Sequence, residues 1–94
     1  MNEEQSYQLY HVTRALSNPI RIQLLFSLLD NGKQNVSTLV SQVNITQPAV
    51  SHHLRILSDA ALVKFHVDGK EKFFTLADTH IQQLLETLRS HTVE

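Results

Sequence analysis

In Thr46-Gln47-Pro48-Ala49-Val50-Ser51-His52-His53-Leu54-Arg55-Ile56-Leu57, the apolar residues Val50, Leu54 and Leu57 recur at the spacing of one buried stripe on an α-helix. Thr46 is a suitable N-cap, and Pro48 is tolerated because it falls in the first turn, where its missing N–H has no helical partner to lose. Upstream, Val36, Leu39, Val40 and Val43 define a second short helix, with Asn44-Ile45-Thr46 as the turn between the two. Helix, tight turn, helix is the helix-turn-helix layout, here expected over about 36–58. Downstream, Leu62 to Val67 and Glu71 to Leu76 are β-prone runs around Asp68-Gly69, a strong hairpin signal, so a wing is expected over about 62–76.

The flanks are helical. Leu9, Val12 and Leu16 recur at three and four from about Glu3 to Leu16, with Tyr7, Tyr10 and Ala15 broadening the face. Asn18-Pro19 restarts the chain, since Asn18 can cap and Pro19 fits the first helical position, and Asn31-Gly32 supplies a left-handed stop. Ile20, Leu24, Leu25, Leu28 and Leu29 make the helix between them mostly buried. A last helix over about 78–92 begins at Asp78 and carries Ile81, Leu84, Leu85 and Leu88. The fold class expected is mainly α with a β-hairpin wing, a winged helix-turn-helix.

Ninety-four residues allow one domain, 1–94, and leave no room for a large buried cavity, so no small organic substrate is expected. Leu, Ile, Val and Phe make up about a third of the chain, enough to fold it. With no cysteine, thiolate metal sites, disulfides and thiol switches are excluded. No apolar run approaches the roughly 18 residues of a membrane span, and Met1-Asn2-Glu3-Glu4 is acidic where a signal peptide would be basic, so a cytoplasmic location with no membrane partner is expected. A net charge of −1 neither requires nor excludes nucleic acid, because a small face can be basic while the rest offsets it.

If Val50, Leu54 and Leu57 point inward, Gln47, Ser51, His52, Arg55 and Ser58 lie outward or on the flanks at 100° per residue. Gln pairs bidentately with adenine and Arg with guanine, while Ser and His make single hydrogen bonds. The candidate DNA-binding residues are therefore Gln47, Ser51, His52, His53 and Arg55, with Lys64, Lys70 and Lys72 of the hairpin as phosphate contacts. A solvated helix face fits the same residues from periodicity alone. From Thr46 to Lys72 the count is four basic side chains against three acidic, so affinity for double-stranded DNA would rest on two copies binding together. His52-His53 is a poor metal pair, because helical neighbours point about 100° apart.

Asp78-Thr79-His80, His91 and Glu94 form the most chemical pattern in the chain. Imidazole and carboxylate suit zinc, and also nickel or cobalt at higher coordination number. His80 and His91 share a helix face but stand about 16 Å apart along the axis, so one helix cannot place both on one ion. Two antiparallel copies can: Asp78 and His80 of one would meet His91 and Glu94 of the other, giving two closed tetrahedral sites per homodimer, with Ile81, Leu84 and Leu88 as the seam. Taken singly, Asp78 reads as an N-cap and His80 and His91 as surface residues, whereas Glu94 at a helix C-terminus runs against the macrodipole. A hydrolytic metalloenzyme would need an open metal position and a cleft, which four ligands in a seam do not leave.

Ala15-Leu16-Ser17-Asn18-Pro19-Ile20-Arg21-Ile22 and the Thr46 to Leu57 segment resemble the signatures of the ArsR/SmtB family of metal-responsive winged-helix transcriptional repressors, and the likeness runs over nearly the whole chain. The resemblance implies a homodimer built on the first and last helices, operator binding through the second helix and wing, no enzymatic activity, and repression relieved by an inducer. The Asp-x-His and His-x-x-Glu pattern is similar to that of the zinc-sensing branch and maps onto Asp78, His80, His91 and Glu94, which implies Zn2+ as inducer. Nickel or cobalt is the nearest alternative, with His11 or the N-terminal segment adding ligands, and a winged-helix regulator without a metal inducer is the other. The family's thiolate cluster has no counterpart between Val36 and Val43.

Overall fold

Each helix starts on a short polar side chain that takes up backbone N–H groups left free by the first turn. In the computed structural model, which describes residues 1–92, Asn2 accepts from Gln5 N while the Gln5 side chain accepts from Asn2 N, a reciprocal capping box that opens α1 (Glu3–Leu16). Asn18 accepts from Ile20 N and Arg21 N, with Pro19 at the first position of α2 (Pro19–Asn31). Gly32 ends that helix at the positive φ expected of it (75°), but with ψ −150° it lies outside the left-handed helical well, in a region open essentially to glycine alone.

The chain then makes a strand that hydrophobic periodicity does not announce, β1 (Gln34–Asn35). Gln34 is buried because its side chain is fully engaged: Nε2 donates to Ser27 O and Oγ, and Oε1 accepts from Gln42. Asn35 caps α3 (Val36–Val40) by accepting from Thr38 N. The helix stops at Val40 and does not reach Val43; the Ser41 hydroxyl turns back to the Thr38 carbonyl, one of the side-chain bonds that compete with helix continuation. The connection to α4 (Gln47–Asp59) is correspondingly longer than the three residues expected, and Val43 and Ile45 pin it by packing on the core.

Val50, Leu54 and Leu57 form the buried stripe of α4, as the sequence requires. The helix closes in a Schellman arrangement, with Leu62 N bonded to Leu57 O, Ala61 N to Ser58 O, and Ala61 held at φ 59°. Next comes the hairpin of β2 (Val63–Asp68) and β3 (Glu71–Leu76). The register pairs Asp68 with Glu71, so the two-residue loop is Gly69-Lys70, one position later than Asp68-Gly69. Only Gly69 has positive φ (64°), which matches a type II′ turn with glycine at its first central position. The antiparallel sheet has the order β1-β3-β2, with Gln34 opposite Phe74 and Asn35 opposite Phe73.

The last helix, α5 (Thr79–Thr92), is capped by Asp78, which accepts from His80 N and Ile81 N. Ile81 and Leu85 face the core with Leu24, Leu25, Leu28 and Ala15, while Leu84 and Leu88 stay exposed. That divides the expected stripe: Ile81 is core and only Leu84 and Leu88 are free to form a seam. Arg89 holds the far end of α5 to α2 through a bidentate pair with Asp30 (2.7 and 3.1 Å) and lies over the Phe26 ring.

Candidate functional site

Gln47, Ser51 and Arg55 stand four residues apart on α4, so they line one face, and all three are exposed with His52 beside them. The wing lysines Lys64, Lys70 and Lys72 are exposed as well. Two adjoining crevices separate the helix from the wing. One, of about 280 Å3, is lined by Ser51, Arg55, Ser58, Phe65 and Lys72; the other, of about 340 Å3, by Asn35, Ser37, Gln47, Ser51, Lys70 and Lys72. Ser51 and Lys72 belong to both, and the Lys72 ammonium sits 4.4 Å from the centre of the Phe65 ring, so the aromatic face holds the cation at the mouth.

The wing carries groups that sequence reasoning did not single out. Lys33, just before β1, lies over Phe73, and His66 stacks on the same ring at 5.7 Å with 18° between planes. A strand of two polar residues leaves no periodicity from which the position of Lys33 at the sheet could be read. Side chains alternate along the hairpin, so Phe65 and Lys72 face the crevices beside α4, which Asp59 and Glu71 also line, whereas Lys64, His66 and Phe73 lie on the opposite face of the strands with Lys33. Gln47, Ser51 and Arg55 with Lys70 and Lys72 have the cations and hydrogen-bond groups suited to phosphates and base edges.

His53 differs from its neighbour. It is half-buried, and its Nδ1 lies 3.2 Å from Nη1 of Arg21 on α2. Burial, then the Arg21 charge, then His52 all hold its pKa below the usual imidazole value of 6.5.

At the start of α5, Asp78 Oδ1 and His80 Nδ1 are 2.7 Å apart and both side chains are largely exposed. A carboxylate and an imidazole side by side in solvent are hard and borderline donors of the kind zinc accepts. His91 lies at the other end of the helix, where it lines a groove of about 580 Å3 with Leu16, Ile22, Phe26 and Leu88. Glu94 falls outside the described residues. Among the described residues, no group of three or more His, Cys, Asp or Glu within one chain could hold a metal ion. The described candidates stand at opposite ends of α5, Asp78 and His80 at its start and His91 near its close.

The first helix leaves Tyr7, Leu9 and Tyr10 exposed, at 63%, 48% and 50%, and α5 leaves Leu84 and Leu88 exposed. His11 packs edge-on against Tyr7 at 4.4 Å between ring centres. No helix among the described residues is long and apolar enough to cross a membrane.

Comparison with known proteins gives consistent matches. The family model for "Bacterial regulatory protein, arsR family" matches residues 18–64. The chain is 33% identical over 94 residues to a transcriptional repressor SmtB homolog of Synechocystis sp., covering all of this chain and 70% of that protein. It is 30% identical over 83 residues to a cadmium resistance transcriptional regulatory protein CadC homolog of Staphylococcus aureus, covering 88% of this chain and 69% of the relative. A homodimeric winged helix-turn-helix DNA-binding domain from Mycobacterium bovis shares the fold, with a TM-score of 0.86 at 20% identity over 96% of this chain and 85% of that one.

Proposed function

The chain belongs to the arsR family of bacterial regulatory proteins, a family of DNA-binding regulators and not of enzymes, and on that premise we propose that it is a metal-responsive repressor acting as a homodimer. The observation that carries the reading is the exposed row Gln47, Ser51 and Arg55 on α4, set across two crevices from Lys70 and Lys72. In this reading α4 enters the major groove, where Arg55 and Gln47 read base edges and Ser51 and His52 add single bonds, while Lys64, Lys70 and Lys72 hold phosphates. Two copies joined through the exposed faces of α1 and α5 place two such helices on half-sites about 34 Å apart. The M. bovis domain of the same fold is a homodimer, which supports that assembly.

The inducer is Zn2+. Asp78 and His80 of one subunit and His91 and Glu94 of the partner subunit would hold it, since antiparallel α5 helices would let both ends of the pattern meet. When bound, zinc supplies a cross-link between subunits. The chain's own residues do the rest: Asp78 caps α5 and orients His80, and Arg89 fixes the end that carries His91 against α2. A cross-linked dimer that fits the operator less well has lower affinity, and the coupling is a free-energy difference between two dimer shapes. The CadC homolog, described as a cadmium resistance regulator, supports a metal inducer of some kind. Nickel or cobalt would use the same imidazole and carboxylate donors with added ligands. Regulation of this kind takes place in the cytoplasm, on DNA.

Two variants test the assignment. His80→Ala loses tight zinc binding and keeps operator binding in the metal-free state. Arg55→Ala keeps zinc affinity and weakens operator binding by about 1–3 kcal/mol per half-site. Fluorescence anisotropy with a labelled duplex and competition with a chromophoric chelator read the two effects; exchange of the outcomes would overturn the assignment.

A further inference from the structure

Arg21 joins three helices with one guanidinium. Its Nε donates to Ala15 O at 2.7 Å and its Nη2 to Arg14 O at 3.2 Å, so the side chain caps the C-terminal end of α1, where carbonyls lack helical partners and the dipole favours a cation. Its third contact is Nη1 to His53 Nδ1 on α4. A guanidinium only donates hydrogen bonds, so Nδ1 must accept, and the ring is then the neutral tautomer with its proton on Nε2. A proton on Nδ1 would set donor against donor and cation against cation.

The surroundings offer that cation little relief. Arg21 faces His53 from α2 and His52 adjoins it on α4. From α1, Arg14 and His11 line the neighbouring crevice together with Asp59, the carboxylate at the end of α4. The ion pairs found among the described residues are His80 with Asp78 and Arg89 with Asp30, so Asp59 forms none with His53. Burial and the two neighbouring bases act in the same direction, against protonation.

We propose that the Arg21–His53 hydrogen bond is a proton-sensitive latch that fixes the recognition helix α4 to the corner between α1 and α2, so that operator binding requires His53 to be neutral. The inference rests on the DNA-binding reading given above. Its physical content is positional. The first helix carries the apolar face assigned to the second copy, and the latch ties that helix end to the middle of α4; the distance between the two recognition helices of a dimer depends on this joint. Arg21 and His53 are therefore positioning residues, and His53 acts on DNA through α4 without touching it. Acidification opens the latch and lowers operator affinity, whereas a histidine that touches phosphate would bind better when charged.

The test compares wild type, His53→Gln and Arg21→Gln at pH 7.5 and 5.0 in a metal chelator. The probe is a fluorescein-labelled duplex enriched by the protein from a random-sequence library, read by anisotropy at fixed salt. Glutamine keeps an acceptor near the Nδ1 position and does not titrate. The other five histidines are common to both proteins, so their contributions cancel in the ratio. On going to pH 5.0, wild type should lose affinity by about threefold or more beyond any change in His53→Gln. Ring-nitrogen NMR should find His53 titrating below 6.5, with and without the duplex, and rising in Arg21→Gln. Equal pH dependence of wild type and His53→Gln, or a His53 that titrates at or above 6.5, overturns the latch while DNA binding stands. Failure of wild type to enrich or bind any duplex at pH 7.5 overturns both readings.

Discussion

Lys72 illustrates how much of a side chain's role lies in its neighbours. Sequence places it in a hairpin, as one of three lysines of equal standing. The structure seats its ammonium over Phe65 at the junction of both crevices beside α4, which restrains a long side chain that would otherwise sample many rotamers. Removal of Lys72 should cost one phosphate contact in each half-site. For Lys72→Ala, the slope of log affinity against log salt should become shallower by about 2 for a dimer, and an unchanged slope would place Lys72 away from the phosphates. His52 and His53 make the opposite lesson. Adjacent in sequence and alike in chemistry, they diverge because one faces solvent and the other meets Arg21, a partner 32 positions away that periodicity cannot reveal.

At the scale of elements, caps and stripes were legible and short pieces were not. Asn18-Pro19, Thr46 and Asp78 start helices where their chemistry says they should, because N-capping is local and its determinants lie within three residues. β1 escaped detection because its two residues gain their place from Gln34's side-chain bonds to Ser27 and Gln42 and from pairing with β3, all tertiary. The inward turn of Ile81 is likewise set by packing against α2 and β3, which a single-helix stripe does not distinguish from a dimer seam. Ala61 marks a local conflict, as a residue with a Cβ held in the left-handed region to close α4. Ala61→Gly relieves that strain, of roughly 1–2 kcal/mol, but frees the unfolded chain by about half as much. The expected outcome is a stabilisation of about 0.5–1 kcal/mol by urea denaturation, with unchanged m-value. Destabilisation would mean that the Ala61 methyl contributes packing that outweighs its strain.

For the whole molecule, the arrangement of parts explains why the chain reads as incomplete alone. The exposed apolar groups of α1 and α5 suit a homodimer interface, and the proposed ligand pattern, split between the two ends of one helix, would be completed by a second copy running antiparallel along α5. The dimer supplies a second recognition helix, which compensates for a DNA face of modest charge, since linking two weak sites raises affinity without new contacts. In the proposed reading the inducer would bind at the seam between the two subunits. Fold and family follow from the sequence because they rest on spacing within segments. The proposed metal site is less legible because it would rest on a juxtaposition between chains.

The most direct test of metal-relieved repression is operator affinity measured at zero and at two zinc ions per dimer, with stoichiometry followed in the same samples by a competing chelator. Two ions bound and a fall in affinity of about tenfold or more, within the usual range of allosteric coupling, is the result expected. Two ions bound with operator affinity unchanged would contradict it.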